Sequence, residues 1–146
     1  MKARFHTFVA DVPDGWRDQS VISFACVDGG VVDPRSVRPT STRPRATVAI
    51  SWGDTPQRGT ASSVLDEQLK NGAGMFAEYA VLARGVDDDL AFADVAFVQG
   101  ERVRQLVCTR VFGKLVVVVT GSAFDATWDA MRPKLLEIAR SIAPSS

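Results

Sequence analysis

The sequence predicts an α+β fold: a curved, mostly antiparallel sheet of about six strands in the order βββ-α-βββ-α, with two helices on one face. Three features predict it. Short runs rich in β-branched and aromatic residues recur between Gly- and Pro-bearing turns, which is the pattern of strands. Two longer stretches place apolar residues at spacings of three and four, the period of an amphipathic helix. Gly100-Glu101 and Gly113-Lys114 are tight turns between apolar runs, so the strands they join are antiparallel. At 146 residues, with 46% hydrophobic and 23% charged side chains and neither repeat nor linker, the chain reads as one domain over residues 1–146.

The elements follow in order. Phe5 to Ala10 is a first short strand, ended by the turn Pro13-Asp14-Gly15, where proline presets φ and glycine accepts positive φ. Ser20 to Val27 is the second strand. Asp28 to Pro44 holds three prolines and two glycines and reads as a long loop. Arg45 to Trp52 is the third strand. Thr60 to Ala83 carries a helical stripe of Leu65, Leu69, Gly72, Phe76, Tyr79 and Ala83, with Gly72 and Gly74 weakening its middle. Leu90 to Gln99, Arg102 to Phe112 and Leu115 to Thr120 are the later strands. Gly121 to Asp125 is expected to break the sheet and to cap the last helix through Ser122 or Asp125. That helix runs to about Ile142, and Pro133 is expected to bend it or to move its start to Met131.

Composition and motifs exclude several functions. A formal net charge of zero argues against general nucleic-acid binding. One histidine, His6, forbids a multi-histidine metal cage. Cys26 and Cys108 sit in apolar strands with nothing nearby to lower a thiol pKa, so they read as small hydrophobes. Gly72-Ala73-Gly74 lacks the preceding strand and the following Gly-Lys-Ser/Thr of a phosphate loop. Asp87, Asp88 and Asp89 read as a solvated charge run. Trp16, Trp52 and Trp128 read as core. No enzyme, cofactor or metal is expected. The first residues lack an apolar run of signal-peptide length, and Leu115 to Val119 is far shorter than the roughly 20 residues of a membrane span, so a cytoplasmic protein without stable membrane association is expected.

The two faces of the sheet hold the functional signal. Ile22, Phe24 and Cys26 alternate with Val21, Ser23, Ala25 and Val27; Ala46, Val48, Ile50 and Trp52 alternate with Arg45, Thr47, Ala49 and Ser51. The bulky sets are expected under the helices, with Phe24 in the core. The opposite sets are small and mildly apolar, whereas a solvated sheet face normally alternates to polar residues. That face therefore calls for a cover: a loop, a second chain or a bound partner. The arginines of the long loop, Arg35, Arg38 and Arg43, have no acidic neighbour between Asp33 and Asp54; they read first as a solvated loop and, alternatively, as a grip for phosphate or an acidic partner.

The stretch Val12-Pro13-Asp14-Gly15-Trp16-Arg17-Asp18-Gln19-Ser20-Val21-Ile22-Ser23-Phe24 resembles the N-terminal signature of the DcrB-like domain family, on the Mog1/PsbP-like fold. More narrowly it resembles the Eag-type chaperones of type VI secretion effectors. Arg104 to Thr120 and the Trp128 helix fit the same pattern. The resemblance implies a cytoplasmic, non-enzymatic homodimer. It would hold the N-terminal transmembrane helices of a PAAR- or Rhs-type effector in an apolar groove of its sheet. The positions matching that groove are Val21, Ser23 and Ala49, with Ala25 and Thr47 beside them. Ser23, Thr47 and Ala49 are smaller or more polar than the branched aliphatics usual there. A second reading is a non-enzymatic assembly or structural subunit of the same fold that binds a soluble protein. A small-molecule-binding or enzymatic domain is the third.

Overall fold

The computed structural model describes residues 2–4, 9–11, 21–26, 46–54 and 59–143. Two short strands, β1 (Lys2–Arg4) and β2 (Val9–Asp11), pair antiparallel as a sheet of their own. Of the strand expected over residues 5–10, residues 9 and 10 belong to β2, and residues 5–8 lie outside the described residues. The main sheet contains β3 (Val21–Cys26), β4 (Ala46–Asp54), β5 (Ala77–Asp87), β6 (Leu90–Gln99), β7 (Glu101–Phe112) and β8 (Leu115–Phe124). Their order is β3-β4-β8-β7-β6-β5, and every neighbouring pair is antiparallel. Two helices complete the architecture, α1 (Ala61–Met75) and α2 (Trp128–Ser141). The result is an α+β fold with an open six-stranded antiparallel sheet, as the sequence predicts.

The helices lie on opposite faces, which corrects the expectation that both lie on one. Alternation along the central strands settles it. Val107, Val116 and Val118 turn toward α1, where Val64, Leu65 and Leu69 meet them. Leu106, Cys108, Val117 and Val119 turn toward α2, where Trp128, Met131, Leu135 and Ala139 complete the larger core. This is why the run Leu115–Val119 is aliphatic at every position: each face carries a helix.

α1 starts where its cap dictates. Thr60 Oγ1 accepts from the Ser63 amide at 3.1 Å, and the Thr60 amide donates to Ser63 Oγ at 2.8 Å, a reciprocal capping box. It ends at Met75, well before the expected Ala83. The second half of the predicted stripe belongs to β5 instead. Phe76 is extended (φ −116°, ψ 143°), and the chain folds back so that Phe76 and Tyr79 stack with Phe97 of β6 at 4.1 and 6.2 Å. Residues that would continue one helical face reach the same core by reversal of the chain.

β8 likewise runs through the expected break at Gly121. That glycine pairs with Val48 and Leu106, and a Cβ on it would lie 2.9 Å from the Leu135 methyl carbons. It is a site of close helix approach within the strand. A 3-10 turn, Asp125–Thr127, leads into α2 at Trp128, and neither Ser122 nor Asp125 caps it through a side chain. Asp125 instead pairs with Arg104 at 3.6 Å. Pro133 is accommodated inside α2, on its exposed side. The far end of α2 is held by Arg110, whose Nη1 donates to the carbonyls of Arg140 (3.2 Å) and Ile142 (2.6 Å).

Candidate protein-binding groove

α1 crosses the β5–β7 half of its face and reaches β8 only through Val64. The rest of that face, formed by β3, β4 and the second half of β8, carries no described helix. Register fixes what it displays, because cross-strand partners share a face. One row is Ser23–Ala49–Thr120, and the next is Ala25–Thr47–Ser122, continued on β7 by Gln105. Val21 and Ser51 stand in the row before them. Ser23, Ala25, Thr47, Ala49, Thr120 and Ser122 line a depression of about 310 Å³. A second depression, of about 260 Å³, shares Thr47 and Ser122 and continues past Val103, Gln99 and Phe124.

The structure therefore brings all five predicted groove positions, Val21, Ser23, Ala25, Thr47 and Ala49, onto one surface. That surface shares its side of the sheet with α1 rather than lying opposite both helices. Val21 is 60% exposed. The bulky set on the reverse side divides. Ala46 and Val48 are buried against α2, with Ile50 and Trp52 packed beside them, but Phe24 is 58% exposed. Phe24 is thus not a core residue as expected: α2 packs on β7 and β8 and does not extend to the edge strand β3.

Sequence reasoning missed Thr120, Ser122 and Gln105. Alternation along the predicted strand Leu115 to Thr120 finds Thr120, and extending it beyond Gly121 finds Ser122. Gln105 is buried on the same face, and its Nε2 donates to Ser122 Oγ at 3.2 Å. The floor is consequently a mixture of methyl and hydroxyl groups, shallow and without formal charge. The loop arginines Arg35, Arg38 and Arg43, together with Trp16 and His6, lie outside the described residues.

The chemistry considered for other residues takes structural form. Cys108 is 1% exposed; burial, reinforced by the Asp94 carboxylate, pushes its thiol up to about 12, so it stays protonated at neutral pH. Asp87 and Asp89 are not merely solvated: Arg140 Nη2 meets Asp87 Oδ2 at 2.6 Å, and Arg110 Nη2 meets Asp89 Oδ1 at 3.2 Å. These pairs tie the β5–β6 turn to the end of α2. Asp94 receives both Nε and Nη2 of Arg132, at 2.7 and 2.9 Å. That hydrogen bonding holds the Arg132 guanidinium pKa above its ordinary value. Among the described residues no group of three or more His, Cys, Asp or Glu side chains is arranged to hold a metal, and no helix is long and apolar enough to cross a membrane.

The fold defines a class. The chain has a PsbP-like α+β fold, and two of the solved structures that match it illustrate the likeness. One is PA94 from Pseudomonas aeruginosa, a protein of unknown function described as a candidate regulator. It matches with a TM-score of 0.69 at 17% identity, over 100% of this chain and 97% of that one. The other is the cyanobacterial PsbP (CyanoP) of Synechocystis sp. PCC 6803, with a TM-score of 0.50 at 12% identity, over 97% and 89%. At such identities the likeness is one of fold. No protein-family model and no curated protein matches the chain.

Proposed function

We propose that this protein is a cytoplasmic chaperone or adaptor of the Eag type within the DcrB-like family. It binds the N-terminal transmembrane helices of a PAAR- or Rhs-type type VI secretion effector on the open strip of its sheet. The action is stoichiometric binding, without catalysis or cofactor. The observation that carries this reading is the uncharged strip beside α1 that no described helix covers. From β3 to β8 it spans two interstrand gaps, about 10 Å, close to the roughly 10–12 Å diameter of one α-helix. Small floor residues let a helix backbone approach closely, as they do between helices in membranes. Thr47, Thr120 and Ser122 offer hydroxyls to polar groups of the incoming segment.

The reading includes a homodimer, in which a second copy adds to the surface that shields the membrane helices. The experiment is co-expression with the apolar N-terminal segment of an effector, followed by purification and light scattering. The expected result is a soluble complex containing two copies of this chain. An effector segment that remains insoluble, or stays soluble without this chain bound, overturns the reading.

The hydroxyl content of the floor favours one alternative, an assembly subunit that binds a soluble protein through the same strip. The same co-expression separates the two, because such a partner would be retained after deletion of every apolar helix from the effector.

A further inference from the structure

We draw no further inference here: the strongest candidate, the exposed apolar side chains Val81, Leu82 and Val86 along the edge strand β5, carries nothing because nothing in the structure shows what covers them.

Discussion

Gly72 and Tyr79 share one space. A Cβ built on Gly72 would fall 2.6 Å from the phenol carbon and oxygen of Tyr79, while one built on Gly74, a half-turn further along α1, meets nothing within 4 Å. Two alanine substitutions in one helix should therefore act in opposite directions. Gly72→Ala displaces the Tyr79 ring from its stack and should cost about 1–3 kcal/mol. Gly74→Ala removes backbone freedom at an exposed helical site and should add about 0.5–1 kcal/mol. Urea denaturation of both variants checks this, and stabilisation by both would mean that Tyr79 does not lie under the helix.

The same pair shows what can be read from a sequence of this kind. Strand composition and tight turns mark β6, β7 and β8 because their signals are local. The boundary at Met75 is not local. A stripe running Leu65, Leu69, Gly72, Phe76 and Tyr79 is equally consistent with one long helix or with a helix whose last turn is met by a returning strand. Only the Phe97 stack distinguishes them. That Val21, Ser23 and Ala25 share a face, and Thr47 and Ala49 another stretch of it, was legible because alternation along β3 and β4 separates these small residues from the bulky ones. Which helix shares their face was not, since the aliphatic residues on both sides of β8 are compatible with either arrangement. Gly121 hid Ser122: as a glycine it reads as a break, when its missing side chain is the space taken by Leu135.

Trp128 and Phe24 should separate in a stability measurement. Trp128 is 2% exposed, with the Arg104 guanidinium 5.3 Å above its ring, whereas Phe24 stands on an edge strand and is more than half exposed. Trp128→Ala is expected to cost about 3–5 kcal/mol. Phe24→Ala should cost less than about 1 kcal/mol, as most substitutions away from a packed core do. Equal losses in thermal or urea melts would place Phe24 under a cover.

Asp94 and Arg132 link β6 to α2 through a two-pronged ion pair whose acidic member is buried. Arg132→Met should cost about 3 kcal/mol, because it leaves a carboxylate in the interior without its cation. The double variant Asp94→Leu/Arg132→Met should recover most of that loss, since neither charge then remains to be desolvated. A double-mutant cycle measured by denaturation tests this. Additive losses would show that the two side chains act independently.

Alkali should destabilise the fold through Cys108. Its thiol is raised from 9.0 to about 12, chiefly by burial and then by the Asp94 carboxylate. The unfolded chain therefore loses this proton first. The stabilisation is fully present below pH 9 and is lost progressively as pH rises toward 12, at up to roughly 1.4 kcal/mol per pH unit. Tyr79, raised by burial as well, adds a contribution of the same sign at the upper end of this window. Melting temperatures of the wild type should fall from pH 9 to 11, and Cys108→Ala should fall less steeply from its own lower starting point. Parallel slopes would assign the alkaline loss to other groups.

Charge placed in the strip should abolish capture without unfolding the protein. Ala49 sits between Ser23 and Thr120, and Val21 lies on the same face at the edge of the sheet. Neither is in the buried core, so a carboxylate at either position keeps access to water and should change stability by less than about 1 kcal/mol. A bound apolar helix would remove that access, and an unpaired charge in such surroundings costs several kcal/mol. That is enough to lower affinity by more than a hundredfold, since each 1.4 kcal/mol is about tenfold. Val21→Asp and Ala49→Glu should therefore show wild-type circular dichroism and near wild-type melting, yet fail to co-purify the effector segment. Asp129→Ala, on the exposed side of α2 across the sheet, serves as the control and should retain capture. Undiminished binding by both strip variants would move the contact surface elsewhere on the molecule.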